Sequence, residues 1–213
     1  MLAGSRSLQL TAVCACLLLA GCTGDTTTPT DYDAVLLPGD VAADQLDPQV
    51  AQVIAHLRAR TAAWHNPDNA DDAGYTVPVG CTDERTEGLS AAAARGMGYH
   101  TLNLDLLDGK AHVLEPEMLV YAREPASGDL KLAGFDYFIP AAFYPGPDSP
   151  DYPGQPPILE GVGIPMNWHG AHGGWAAHTW PWMYNPDGMF DDFNPSVALC
   201  ECEISPETSV CTP

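Results

Sequence analysis

The chain has 213 residues, 46 % of them hydrophobic, and its 28 acids against 8 bases leave a formal charge of −20. So acidic a surface repels phosphate backbones and anionic headgroups, which excludes nucleic acid and anionic lipid as binding partners. The length suits one domain with a real core.

At the N-terminus, Arg6 precedes a short apolar run over residues 7–20 that ends in Leu19-Ala20-Gly21-Cys22. The run falls short of the ~20 apolar residues that span a bilayer. A base, an apolar stretch, small residues and a cysteine in that order resemble a bacterial lipoprotein signal. The resemblance implies that residues 1–21 are removed and that the Cys22 thiol takes diacylglycerol, with further acyl chains such as palmitate. Two or three such chains hold a protein stably, so the expectation is a lipid-anchored protein of the cell envelope, outside the cytoplasm. Residues 22–45 open with a Thr, Asp and Pro cluster without period and read as a flexible tether, leaving 46–213 as a single domain.

Of seven cysteines, Cys14 and Cys16 leave with the signal and Cys22 carries lipid. Cys81, Cys200, Cys202 and Cys211 remain, an even number that suggests two disulfides in an oxidising compartment, with three pairings open. The pairing favoured is Cys81–Cys200, which would close a long loop, with Cys202–Cys211, which would staple the tail. Their spacing is poor for a structural zinc site.

The first element of the domain is a helix. Asp47 is its N-cap and Pro48 its first residue, while Val50, Val53, Ile54, Leu57 and Trp64 recur at helical spacing. His56 falls on its polar side, His65 at its end, and Asn66-Pro67 stops it. Residues 66–96 read mostly as loop, with a short Ala-rich turn near 90–95. Strand signals follow in GMGYHTLNL (96–104), EMLVYARE (117–124), DLKLAGFDYFIP (129–140) and AHTWPWMY (177–184). The second and third are joined by the hairpin-like EPASGD, and Pro181 marks the last as an edge strand or a bulge. Between them, YPGPDSPDYPGQPP (144–157) is a long surface loop. One long helix with about four hairpin-joined strands predicts an α+β domain, an antiparallel sheet packed against the helix. A curved, cystatin-like sheet is one form this can take.

The motifs GMGYH, PEMLVY, GFDYFIP and HTWPWMYNPDGMFDDFNPSVALC resemble a family of small, uncharacterised secreted bacterial proteins, whose last motif runs HVWLWKHNPAGMFAPFNPNVSC. The likeness covers about residues 96–140 and 175–200. It departs at Tyr184, where the family has a histidine, and at Gly174, where the family tends to carry another. The tail beyond Cys200 is extra. The resemblance supports the fold and the Cys81–Cys200 pairing, and it implies no activity.

Polar residues inside strands are the sharpest anomaly. Aspartate is depleted from strand interiors, yet Asp136 lies in phase with Leu130, Leu132 and Phe138. A carboxylate on an apolar face must be paired, metal-bound or neutralised. His100, Glu117 and His178 occupy the other strands, so four strands offer one ionisable side chain each. If they share a face they form a site for a divalent metal such as zinc, iron or manganese, or an acid–base pair. His169 and His172, in the Gly-rich HGAHGG, read as loop residues on a poor base for a rigid site. Trp180, Trp182 and Tyr184 form an aromatic stripe, either core or the wall of a ligand groove under the Pro-rich loop.

No GxSxG elbow, HExxH, P-loop or dinucleotide fingerprint occurs. The sequence therefore favours a non-enzymatic binding or interaction module with a small-molecule or protein partner. The alternative is a metal-binding protein or metal-dependent enzyme using His100, Asp136 and His178, with Glu117 as a further ligand or base. A structural envelope protein without a small ligand is a third reading.

Overall fold

A computed structural model describes residues 46–88 and 93–201. The signal, Cys22, the tether, most of the Ala-rich turn and the Cys202–Cys211 pair lie outside the described residues.

The domain is α+β and built on an antiparallel sheet, as the strand patterns predict, but the sheet has six strands and no long helix packs on it. The expected count of about four strands and the one long helix are thus corrected. Helix α1 spans Pro48–Thr61, 14 residues. The Asp47 carboxylate caps it by accepting from the Gln49 amide at 2.8 Å, and Pro48 takes the first position. A 3-10 turn over Ala62–His65 ends the run, and Asn66 caps a second helix, α2, over Pro67–Asp72. Asn66-Pro67 therefore starts a helix as well as stopping one, because Asn accepts at an N-cap and Pro suits the next position.

The strands are β1 (Val77–Asp83), β2 (Gly96–Leu102), β3 (Met118–Arg123), β4 (Leu130–Pro140), β5 (Ile158–Leu159), β6 (Ile164–Pro165), β7 (Asn167–His169) and β8 (Gly174–Thr179). The main sheet runs β1-β2-β3-β4-β8-β7, and β5-β6 form a separate hairpin. The β1 segment reads as loop because it holds Pro78 and Gly80, and both are tolerated because β1 is an edge strand. The last predicted strand is displaced: it starts at Gly174 and stops at Thr179, before Pro181.

Side chains alternate across the sheet. One face carries Leu119, Phe135, Tyr137 and Ala177 and packs into the main core with Ile54 and Leu57 of α1. Tyr121 fixes the helical layer to the sheet by donating to the Trp64 carbonyl at 2.8 Å. The register pairs Asp136 with both Met118 and His178, and His100 with Val120, so these side chains share the opposite face.

Cys81 and Cys200 form a disulfide that ties β1 to the last described stretch of chain. Beside it the buried Asp83 carboxylate accepts from the Cys200 amide at 3.0 Å and pairs with Arg85. Among the described residues no helix is long and apolar enough to cross a membrane.

Candidate metal centre and its pocket

His100, Asp136 and His178 come from three neighbouring strands, β2, β4 and β8, and all are at most 6 % exposed. One nitrogen or oxygen of each lies within 4.8 Å of the other two. The carboxylate Oδ2 of Asp136 is 3.6 Å from His178 Nε2 and 3.9 Å from His100 Nε2. These gaps are too long for hydrogen bonds. They are near the roughly 3.4 Å that separates two ligands of a tetrahedral ion with ~2.0–2.1 Å bonds.

The local backbone aims both imidazoles. Gly98 has φ of +105°, and a Cβ there would stand 2.6 Å from the Tyr121 carbonyl oxygen, so GMGYH needs glycine at this position. The Gly98 carbonyl accepts from His100 Nδ1 at 3.1 Å. His178 Nδ1 donates to Asp192 Oδ1 at 3.3 Å. Both acceptors demand an N–H at Nδ1, so on each ring Nε2 is the nitrogen left for a ligand, and it faces Asp136. Orientation of a ligating histidine by a carbonyl or carboxylate on its other nitrogen is the habit of metal sites.

The two facing nitrogens have no partner, and neither has the other oxygen of Asp136. Among the described residues five buried side-chain atoms lack a hydrogen bond, and three of them are His100 Nε2, His178 Nε2 and Asp136 Oδ1. A buried polar group left so is costly. A cation placed between the two rings and the carboxylate would satisfy both bare nitrogens and the buried charge at once.

The electrostatics agree. Burial, with the nearby His178, holds His100 down at about 3, so its ring is neutral and fit to ligate. Burial pushes the Asp136 carboxyl up, because its charge lacks compensation there. Burial pulls His178 down, but the charge of Asp136 and the bond to Asp192 outweigh it and raise the ring. The trio thus joins a neutral imidazole, an imidazole drawn upward by two carboxylates and a carboxylate whose charge is costly where it lies.

Outward from the trio the charges alternate. Asp192 bridges His178 and His169, with His169 Nε2 3.4 Å from its Oδ2. His169 Nδ1 is 3.6 Å from Glu87 Oε2, and Glu87 Oε1 meets His172 Nε2 at 2.5 Å. Burial lowers His169, yet its two acidic partners raise it to about 10. Glu87 is raised by burial but held at about 2 by its two histidines. Glu87 and Asp192 are thus neutralised by partners of their own. The segment that carries Asp192 is fixed by Asn167 Nδ2, which donates to its Oδ2 at 2.8 Å. Its neighbour Asp191 accepts from Trp180 Nε1 through the carbonyl and pairs with Arg95.

A pocket of about 210 Å³ opens onto the trio. Leu102, Leu107, Met118, Phe138 and Ala176 wall it, with Val79 and Thr82 of β1 on its rim, while Glu87, His169 and His172 form its polar side.

Three of the four residues expected from the strands are therefore brought together, and Glu117 is not. It lies one residue ahead of Met118, so alternation turns it away from Asp136, and its Oε2 accepts from the Phe138 amide at 3.2 Å. Burial pushes its carboxyl up to about 9. His169 and His172, expected to be loop residues, join the cluster because β7 pairs His169 with Gly174 beside β8. Gly174 has no room for a larger residue, since a Cβ would lie 2.3 Å from the Phe138 ring.

The aromatic stripe is divided. The strand ends at Thr179, so Trp180, Trp182 and Tyr184 share no face. Trp180 is buried and stacks on His178 at 6.3 Å, Trp182 donates to Thr61 Oγ1 in α1, and Tyr184 is exposed. The Pro-rich loop is irregular, as its composition predicts, but it is pinned against Trp175, whose Nε1 donates to the Tyr144 carbonyl at 3.2 Å. Asp192 and Glu87 carry no periodic signal in the sequence. Only their contacts reveal them.

No protein-family model matches this chain, and no curated protein or solved structure matches it.

Proposed function

We propose that the protein binds one divalent metal ion through His100 Nε2, Asp136 and His178 Nε2, with an open coordination position facing the pocket. The observation that carries this reading is the pair of buried, unpartnered Nε2 atoms on His100 and His178, both turned toward the buried Asp136 carboxylate. Two histidines and one carboxylate suit zinc, iron(II) or manganese. Three protein ligands leave the ion free to take a water or a small molecule, as sites that act on a ligand do and closed structural sites do not. An ion so held supplies Lewis-acid polarisation or a water of lowered pKa. The protein's contribution is to orient the rings through Gly98 and Asp192 and to keep the surroundings dry.

This reading joins a binding module to metal chemistry, because the apolar pocket ends at the trio. Purified protein dialysed against zinc should retain about one ion per chain, and His100→Ala and His178→Ala should each abolish retention. A metal-free wild type, or full retention in both variants, contradicts the proposal.

We further infer from the N-terminal pattern that the domain is held at the cell envelope by lipid on Cys22, on a tether of residues 22–45. Mass spectrometry of the mature N-terminus tests this: an acylated Cys22 is expected, and an unmodified one contradicts it.

A further inference from the structure

We infer that the ligand of this pocket is a small monocarboxylic acid with an apolar body, its carboxylate taking the open position on the metal. The inference rests on the metal reading above and deepens it.

Charge comes first. A divalent ion held by two neutral imidazoles and the single Asp136 carboxylate keeps one formal positive charge. The other two acids at the site are held by partners outside the trio, because Glu87 lies between His169 and His172, and Asp192 meets His169 and Asn167. One unit of positive charge in a buried site is best met by a ligand bearing one negative charge, since an uncompensated buried charge is costly. No lysine or arginine is among the described residues that line the pocket, so a phosphate or a dicarboxylate would bring charge that nothing there receives.

Shape and polarity supply the rest. Away from the trio the walls are Leu102, Leu107, Met118, Phe138 and Ala176, which offer an acid's remainder no hydrogen-bond partner and reward an alkyl or aryl group. At about 210 Å³ the pocket is below the ~300–1,000 Å³ usual for drug-sized ligands, so the body is small. The polar groups sit together on one side, which matches a molecule with one polar end.

Cobalt(II)-loaded protein tests this, because its visible bands report ligands that enter the metal's coordination. Hexanoate and benzoate are the probes, one aliphatic and one aromatic, with acetate and hexan-1-ol as controls lacking the body or the charge. At least one probe should shift the cobalt bands and bind, by calorimetry, at least tenfold tighter than both controls. Leu107→Ser, on a half-buried loop position, and Ala176→Leu, which fills the pocket, should each weaken that binding tenfold or more while leaving the bands of the ligand-free cobalt protein unchanged. Acetate or hexan-1-ol binding as tightly as the probes overturns the inference, as do bands that respond to neither acid or binding untouched in both variants. Failure of cobalt to bind at all would instead remove the metal reading, and this one with it.

Discussion

Asp192 touches no reacting position, yet it decides how His178 faces the trio. Its Oδ1 holds the Nδ1–H of His178, and its Oδ2 is itself held by Asn167 and His169. Loss of such an orienting carboxylate typically costs 10–100-fold in metal affinity. Asp192→Ala is therefore expected to weaken zinc binding by about 10–100-fold, measured by competition with a chromophoric chelator. Unchanged affinity would show that His178 is aimed by packing against Trp180 alone. Glu117 makes a separate claim at this scale. Its folded carboxyl is raised by burial from an ordinary 4.5 to about 9. Between those values the folded state holds a proton that the unfolded chain has lost, so stability falls as pH rises through this window. Glu117→Gln keeps an acceptor for the Phe138 amide and carries no charge. It should flatten the decline in denaturant midpoint between about pH 5 and pH 8, whereas an unchanged slope would place the titrating group elsewhere. The contrast between these residues explains what could be read early. Asp136 stands out because a strand interior rejects aspartate, and His100 and His178 stand out as ionisable residues inside other strands, but only the register shows that the three share a face. Glu117 looked equivalent, but it precedes β3 by one residue, and one residue of register sends a side chain to the other face.

At the scale of elements, the strands rich in aromatic and branched residues, β2 to β4, are legible because their composition and hairpin turn agree. Edge strands are not. In β1, Pro78 and Gly80 argue for a loop, and only an unpaired outer edge makes them tolerable. β7 has three residues, too few for any period. The tryptophans after Thr179 keep a strand's alternation on paper, but Pro181 ends the pairing and Trp182 turns to α1. Because β1 is an edge, its place depends on a fastening. The Cys81–Cys200 bond closes 119 residues of chain, and a native disulfide typically contributes about 2–5 kcal/mol. The double replacement Cys81→Ser with Cys200→Ser should lower unfolding free energy by about that amount. It should also loosen the β1 rim of the pocket, seen as faster amide exchange at Val79–Asp83 than at β3. Equal protection of the two strands would show that β1 stands without the bond.

For the whole molecule, the antiparallel α+β architecture follows from the order of strand signals, whereas its six-stranded extent does not, because the added strands are short or carry edge residues. The cluster arises from topology of the same kind: β8 inserts beside β4 after a connection of more than thirty residues, which sets His178 against Asp136. Local pattern cannot announce such a pairing. The proposed function puts these parts together: a metal-centred pocket for small ligands, held at the cell envelope if Cys22 is acylated as proposed. A ligand that binds only the folded state stabilises it, by about 2.7 kcal/mol at a hundredfold excess over its dissociation constant. For a domain of this size that is roughly 5–10 °C in melting temperature. Anomalous X-ray scattering at the zinc edge, from crystals grown with zinc, locates directly an ion held by His100, Asp136 and His178. One strong peak is expected about 2.0–2.2 Å from His100 Nε2, His178 Nε2 and an Asp136 oxygen, with its open side toward Phe138 and Met118. No peak there, or a peak confined to His172 and Glu87 at the pocket mouth, would contradict it.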